Sequence, residues 1–303
     1  MNKLKRLLAT LAIGASLVGC QATNDVEQGD HPVVNVPFAG PLQHDFRKEL
    51  EIARINQALN SPEITTEQRA ALHHKRGALY DSVGLSTLAR LDFNYALKLK
   101  PDFAEVYNFT GIYYTLAMQY EQAYESFDAV IELLPEHQYA YLNRGIALYY
   151  GSRPDLAERD LKKFLNADDS DSYRAVWVYL ATREVDATRA LTELQQHAEK
   201  LDKSRWSYQL VQYFLGELSE RDLLLNVQKD LTSHREYLER LCEAYFYLAK
   251  DAVADNKPLK AEDYFNLAMA TNVYEFVEYK YARLELRLLY SDEQTPDEIQ
   301  LSG

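Results

Sequence analysis

The chain has 303 residues, of which 47% are apolar and 26% are charged, and its formal net charge is −13. Such a composition suits a globular protein with enough apolar material for one large domain or two small ones. The acidic balance disfavours nucleic-acid binding, because a negatively charged surface repels phosphate. The chain contains only 11 Gly and 9 Pro. This scarcity of turn-forming residues favours helices over a many-stranded sandwich.

The first 19 residues have the pattern of a secretory signal. Three basic side chains lie within the first six residues, and an apolar run follows from 7 to 18. A run of this length is short for a membrane span, so a signal peptide is favoured over a transmembrane anchor. We therefore expect residues 1–19 to be absent from the mature protein.

The signal ends in Leu17-Val18-Gly19-Cys20, which resembles the lipobox of bacterial lipoproteins. A cysteine thiolate is the nucleophile that accepts a diacylglyceryl group in that family. The resemblance implies that Cys20 carries diacylglycerol and an N-acyl chain, and several acyl chains give a stable anchor. The family's sorting pattern, with Gln21 and not Asp after the cysteine, implies the outer membrane, facing the periplasm. No other cofactor and no metal is expected. Cys242 is interpreted as a small core residue.

Residues 20–41 are predicted to be a flexible tether, because they are polar, contain three prolines and show no period that would bury a face. A helical pattern then covers 42–60. Its apolar residues, among them Phe46, Leu50 and Ile55, recur at steps of three and four. An apolar stripe on a single N-terminal helix must cover something, either the chain's own solenoid or a second copy of the chain. We expect this helix to contribute to dimerisation.

The decisive signal is an internal repeat of 34 residues between 70 and 171. Gly77, Gly111 and Gly145 are spaced by that period. The same period relates three further sets: Tyr80, Tyr114 and Leu148; Ala89, Ala123 and Ala157; Phe93, Phe127 and Leu161. This is the tetratricopeptide pattern, in which Gly and Ala allow helix A and helix B to cross closely while a large side chain fills the space between them. The predicted fold is all-α, a right-handed helical solenoid of tetratricopeptide repeats.

The pattern weakens after the third unit but stays helical. Residues 172–236 are predicted to be degenerate helical repeats, including a pair over 205–215 and 220–231. A clearer repeat and a capping helix are expected over 237–290, and 291–303 is an acidic tail. In this last repeat Ala244 is assigned to the glycine place. The connection near Pro258 is then five residues longer than in the other units.

Motifs for catalysis are missing from the sequence. It contains no phosphate-binding glycine loop, no Gly-x-Ser-x-Gly elbow and no zinc-spaced Cys or His pairs. A protein that is not an enzyme is therefore expected, although an enzyme with a scattered active site stays an alternative.

Protein binding is the remaining function, and tetratricopeptide domains bind partners in the groove that their A helices line. Counting along each unit predicts a partner-binding groove formed by His74, Asp81, Asn108, Ile112, Thr115, Tyr139, Leu142, Ile146 and Tyr149. It passes from polar to aromatic and aliphatic, which suits a peptide held by apolar contacts. The alternative is that Ile112, Leu142 and Ile146 are covered by the chain's own helices.

The lipobox and four further segments resemble a family of outer-membrane lipoproteins with tetratricopeptide repeats. The segments are 76–85, 142–151, 213–216 and 272–278. The resemblance implies a homodimeric adaptor that binds a tail-specific periplasmic protease. It also implies association with peptidoglycan endopeptidases and other murein enzymes, one endopeptidase being delivered for degradation, which regulates cell-wall growth and division. A lipoprotein assembly factor for outer-membrane protein insertion or pilus biogenesis is the alternative.

Overall fold

The computed structural model describes residues 36–43 and 45–292. These residues form fourteen α-helices and, among them, no strand. The helices are α1 (Phe46–Leu59), α2 (Thr66–Ser82), α3 (Ser86–Leu99), α4 (Ala104–Leu116), α5 (Tyr120–Leu133), α6 (Gln138–Tyr150), α7 (Pro154–Ala167), α8 (Ser172–Arg183), α9 (Ala187–Ala198), α10 (Tyr208–Phe214), α11 (Glu220–Asn226), α12 (His234–Ala254), α13 (Pro258–Ala270) and α14 (Val277–Asp292). The predicted all-α fold is confirmed.

Three helix pairs repeat with the predicted period: α2 with α3, α4 with α5, and α6 with α7. In each pair the glycine of the A helix lies against the large side chain of the B helix. A Cβ atom added to Gly77 would lie 2.7 Å from Cε1 of Phe93, and one added to Gly111 would lie 2.6 Å from Cε1 of Phe127. No side chain fits such a gap, which is why these positions need glycine. The chain is a tetratricopeptide-repeat solenoid.

The turns inside the pairs also repeat. Their middle residues Gly84, Met118 and Ser152 all have a positive φ, and they are 34 residues apart. The residue after each of them donates a backbone hydrogen bond to the carbonyl group five residues earlier, as in Leu85 to Tyr80 at 2.8 Å. This is the Schellman arrangement, which satisfies carbonyl groups at a helix end. The A and B helices of each pair are therefore joined by the same turn.

The same turn corrects the register of the last repeat. Asn256 has a positive φ, and Lys257 donates to the carbonyl oxygen of Ala252 at 2.9 Å. The glycine place lies seven residues before this turn in the first three pairs, so Ala249, and not Ala244, occupies it. The predicted longer connection is wrong, since only 255–257 separate α12 from α13. α12 is longer than the A helices of the first three pairs, and the added residues lie at its N-terminal end.

The irregular third quarter surrounds two buried helices. Ten of the twelve residues of α8 are buried, and α12 contributes Tyr245, Phe246 and Tyr247 to the interior. A helix that is apolar on all sides is one that others enclose. The pair predicted over 205–215 and 220–231 is present as α10 and α11, each shortened to seven residues.

The end of the predicted tether lies on the body. Val36, Ala39 and Leu42 pack against the main core, and the backbone N–H of Leu42 donates to the carbonyl oxygen of Thr271 at 2.9 Å. Residues 36–41 are therefore not a flexible tether, because their few apolar side chains find a surface on α12 and α13. The N-terminal helix begins at Phe46, four residues later than its apolar pattern suggested.

Candidate protein-binding surface

The last helix crosses the ends of the three A helices. Lys280 Nζ lies 2.7 Å from Asp81 Oδ2 on α2, and Arg287 Nη1 donates to the carbonyl oxygen of Leu116 on α4 at 2.7 Å. On α6 the hydroxyl of Tyr150 donates to Glu285 Oε1 at 2.7 Å. The C-terminal ends of α2, α4 and α6 are therefore occupied by a helix of the same chain.

Buried aromatic and ionic contacts hold α14 in this place. The ring of Tyr281 stacks on that of Tyr150 with centroids 5.2 Å apart, and the Tyr281 side chain is 1% exposed. Lys250 of α12 forms a buried ion pair with Glu285. The charge of Glu285 outweighs burial and raises the pKa of Lys250 above its usual range. Removing one partner of such a pair costs about 3–5 kcal/mol. The helix is thus a fixed part of the fold.

Four of the predicted groove residues are buried and cannot touch a partner in this structure. They are Asp81, Thr115, Leu142 and Ile146. Asp81 accepts from Lys280 and from the hydroxyl of Tyr113, so both of its carboxylate oxygens are in use. Leu142 and Ile146 are therefore covered by the chain's own helices, as the alternative interpretation of the sequence proposed. Ile112 keeps part of its surface exposed.

The predicted residue Tyr149 is half-buried at the edge of α14. Its hydroxyl lies 3.2 Å from Glu184 Oε1, and its ring faces Lys250 at 4.8 Å and Trp177 at 6.4 Å. These contacts join α6 to α8 and α12. Tyr149 is therefore occupied with internal contacts along most of its side chain.

The remaining four predicted residues lie on successive A helices and keep part of their surface exposed. They are here called the open strip: His74, Asn108, Ile112 and Tyr139. Asn108 is positioned by a hydrogen bond from Asn143 Nδ2 at 2.9 Å. Tyr139 is 58% exposed and rests against the ring of Phe164, with centroids 5.7 Å apart. Exposed aromatic rings with a fixed base are the usual anchors of protein interfaces.

At the other end of the strip His74 lies among aromatic rings. Its imidazole is 4.9 Å from the ring centroid of Phe103 and 6.0 Å from that of Phe109. Burial lowers the pKa of His74, and the nearby carboxylate of Glu105 offsets part of this effect. The imidazole is consequently neutral near pH 7. The open strip thus presents a neutral, largely aromatic and amide surface to a partner.

Two carboxyl groups with raised pKa values lie in the interior. Glu243 accepts from Trp206 Nε1 at 2.9 Å, and Glu278 accepts from the Tyr247 hydroxyl at 2.7 Å. Each is 6% exposed, and burial is the main reason that both pKa values are raised. They link α12 to α14 and to the loop before α10.

Residues 36–43 and 45–292 contain no cluster of three or more His, Cys, Asp or Glu suited to a metal ion. Within the same ranges, no helix has both the length and the apolar character needed to cross a membrane. The predicted lipidation site, Cys20, lies outside the described residues.

No protein-family model matches the chain. Three solved structures with a related fold illustrate the comparison. A tetratricopeptide repeat protein from Parabacteroides merdae is 15% identical, with 80% of this chain and 91% of that chain covered and a TM-score of 0.48. YrrB, described as a tetratricopeptide protein with an unusual peptide-binding site, is 14% identical, with coverages of 80% and 98% and a TM-score of 0.42. PilW, described as a widely conserved type IV pilus biogenesis factor, is 20% identical, with coverages of 77% and 90% and a TM-score of 0.43. At these values the likenesses say nothing about function.

Proposed function

We propose that the chain is a non-catalytic adaptor lipoprotein of the NlpI type, anchored to the outer membrane and facing the periplasm. In this proposal it binds a tail-specific periplasmic protease together with peptidoglycan endopeptidases and other murein enzymes. Delivery of an endopeptidase to the protease limits the opening of cross-links, and so regulates cell-wall growth and division. The sequence resemblance supports the identity of the partners.

The structural observation that carries the binding role is the open strip. Its residues lie on three A helices, each held to its own B helix by a close glycine contact and a repeated turn. A partner that binds such a strip loses little freedom on the adaptor's side, because the surface is already ordered. Holding two partners on one scaffold raises their effective concentration for each other. No chemistry by the adaptor is needed for this effect.

The proposed anchor is tested by Cys20→Ser. A thiol is needed to accept the diacylglyceryl group, so the variant is expected to leave the membrane fraction and appear in the soluble periplasmic fraction. Equal membrane association of the variant and the parent chain would contradict lipidation at Cys20.

The proposed dimer uses the exposed face of α1. Phe46 is 71% exposed and Leu50 is 41% exposed, and at a spacing of four residues they lie on one face. Light scattering at micromolar concentration is expected to show a dimer for the parent chain and a monomer for the double variant F46S/L50S. The control is Leu88→Ser, because Leu88 is 42% exposed but lies on α3, outside α1. A monomeric parent chain, or a dimeric double variant, would rule out this interface.

The adaptor role is tested by capture from a periplasmic extract followed by mass spectrometry. The immobilised protein is expected to retain a tail-specific protease and murein endopeptidases, and Tyr139→Ala is expected to retain at least one of them less well. Tyr95→Ala is the matched control, since Tyr95 is 45% exposed but lies on the B helix α3, outside the strip. Capture of insertion-machinery or pilus-biogenesis proteins instead would replace this proposal with the assembly-factor alternative.

A further inference from the structure

A pocket of about 400 Å³ lies where α14 passes beside α3 and α4. Three arginines line it: Arg90 comes from α3, and Arg283 and Arg287 come from α14. No acidic residue is among the lining residues. The floor is apolar, with Leu284 of α14 (1% exposed) and Leu116 of α4. The pocket is thus basic at its rim and apolar below.

The three guanidinium groups have no carboxylate partner among the described residues. Arg287 donates to the carbonyl oxygen of Leu116, and Arg90 lies 6.0 Å from the ring centroid of Tyr113. Asp81 of α2, which accepts from the hydroxyl of the lining residue Tyr113, is also paired with Lys280. The pocket therefore has a surplus of positive charge.

This arrangement differs from that of other arginines in the repeats. Arg76 forms two hydrogen bonds with Asp92, and Arg144 does the same with Asp160. In the pocket, by contrast, Arg283 and Arg287 are four residues apart on one helix, a spacing at which like charges disfavour each other. A bound anion would remove this repulsion, and in a chain with a net charge of −13 the pocket is a local exception.

We propose that the pocket binds a carboxylate group of a protein partner, specifically a C-terminal carboxylate that follows an apolar side chain. Guanidinium groups have the planar geometry that matches a carboxylate. The half-buried lining residues Leu116 and Ala117 give the last side chain of the partner an apolar surface to cover. A polyanion such as nucleic acid, or an anionic membrane surface, would meet the acidic remainder of the protein and is disfavoured.

The inference rests on the proposed function in one respect, namely that the ligand is a protein. The pocket lies at the C-terminal end of α4, whereas the open strip uses residues from the middle of α2 and from α4 and α6. It would act as a second contact that selects partners by their chain ends. Internal Asp or Glu side chains of a partner are the other source of a carboxylate, and the test separates the two.

The test uses the full chain in a non-ionic detergent and a labelled probe, acetyl-Gly-Gly-Leu with a free C-terminal carboxylate, measured by fluorescence anisotropy. Amidation of the probe is expected to weaken binding about ten-fold or more, because charge-assisted hydrogen bonds are lost. Arg283→Gln is expected to weaken it by a similar factor. Arg159→Gln is the matched control, since Arg159 is an exposed arginine of α7 outside the pocket. The melting temperature of each variant checks that the fold is intact.

Three results would overturn the proposal. The first is equal binding of the acid and the amide. The second is an equal effect of Arg283→Gln and Arg159→Gln. The third is inorganic phosphate competing as well as the peptide, which would make the pocket a phosphate site. A probe with an internal Glu and an amidated end that binds as tightly as the free acid would move the assignment from chain ends to side chains. If the chain does not bind the peptide but still captures wall enzymes, only the pocket proposal is refuted. If it binds the peptide but captures no wall enzymes, only the adaptor role is refuted.

Discussion

Single residues set the geometry of the repeat. Gly111 leaves no space for a side chain, since an added Cβ would lie 2.6 Å from two atoms of the Phe127 ring. Ala123 on the same B helix is fully buried. Small residues at these places let two helices approach closely, and the aromatic ring then fills the remaining volume. The contact is local, so it can be probed by a change of one methyl group.

Gly111→Ala is expected to lower the free energy of unfolding by about 1–2 kcal/mol. Overpacking costs about 1–3 kcal/mol, and the better helix propensity of Ala returns about 0.5–1 kcal/mol. Urea unfolding followed by circular dichroism measures the difference. The control, Asn94→Ala at an exposed position of α3, should be neutral or slightly stabilising. A stabilised Gly111→Ala would mean that the two helices are further apart than described.

Ser152→Gly is expected to stabilise the protein by about 0.5–1 kcal/mol. Ser152 is exposed and has a φ of 58° in the turn between α6 and α7. A residue with a side chain is destabilised by about 1–2 kcal/mol in this conformation. Glycine avoids this cost, but its greater freedom in the unfolded chain cancels part of the gain. Ser152→Ala, measured by the same unfolding curves, should give no such gain. Equal curves for the two variants would contradict the left-handed turn.

At the scale of elements, the position of α14 decides which part of the inner surface is free. Its contacts with α2, α4 and α6 close the C-terminal ends of those helices, and the open strip is what remains. The buried pair of Lys250 and Glu285 ties it to α12. Both kinds of contact join segments far apart in sequence. Weakening them should therefore loosen the helix before the repeats unfold.

Glu285→Ala is expected to destabilise the protein by about 3–5 kcal/mol, because it leaves the charge of Lys250 buried without a partner. Hydrogen exchange should show faster exchange in α14 than in α4 or α5. The double variant K250M/E285L, which replaces both charges by apolar groups, is expected to recover most of the loss. A double variant no more stable than Glu285→Ala would show that the pair does not hold the helix.

The buried carboxyl groups of α12 and α14 make stability depend on pH. Burial raises the pKa of Glu243 well above its usual range and that of Glu278 in the same direction, with the charge of Glu278 adding to the shift of Glu243. A folded-state pKa above the unfolded value of 4.5 stabilises the fold at low pH. This contribution is present below 4.5 and is lost as the pH rises through the folded-state pKa.

Glu243→Gln is therefore expected to flatten the fall of stability above pH 4.5. At pH 7 it should raise the free energy of unfolding, because the amide has no charge to bury. The amide oxygen can still accept from Trp206. Urea midpoints at several pH values measure the effect, and Glu262→Gln on α13 is a half-buried control. If the pH profile of Glu243→Gln runs parallel to that of the parent chain, the result would contradict a raised pKa for Glu243.

At the scale of the whole molecule, the regular repeats could be predicted and the closure of the groove could not. The units over 70–171 can be recognised in the sequence because Gly, Ala and a large residue recur at a fixed period. The contact of Lys280 with Asp81 spans 199 residues, and no local pattern encodes such a pairing. The same reason hides the arginine pocket. The glycine place of the last repeat was assigned to Ala244 and not to Ala249. The reason is that α12 is longer than the other A helices, which leaves the spacing of its apolar residues ambiguous.

The residues of the open strip could also be predicted from the period of the repeat. Counting within a unit identifies the residues on the inner face of each A helix, and His74, Asn108 and Tyr139 do lie on an accessible surface. The counting cannot show what covers that face. The apolar stripe of α14, including Tyr281 and Leu284, was the one available signal, since a buried stripe must rest on some other element.

The central claim, that the open strip receives a periplasmic protein partner, is tested most directly by site-specific photo-crosslinking in living cells. A photoreactive phenylalanine analogue at position 139 is expected to form crosslinks with a tail-specific protease or a murein endopeptidase. The same analogue at position 95 should form neither. Crosslinks to these enzymes from position 95 and none from position 139 would contradict the claim and move the binding surface to the B helices.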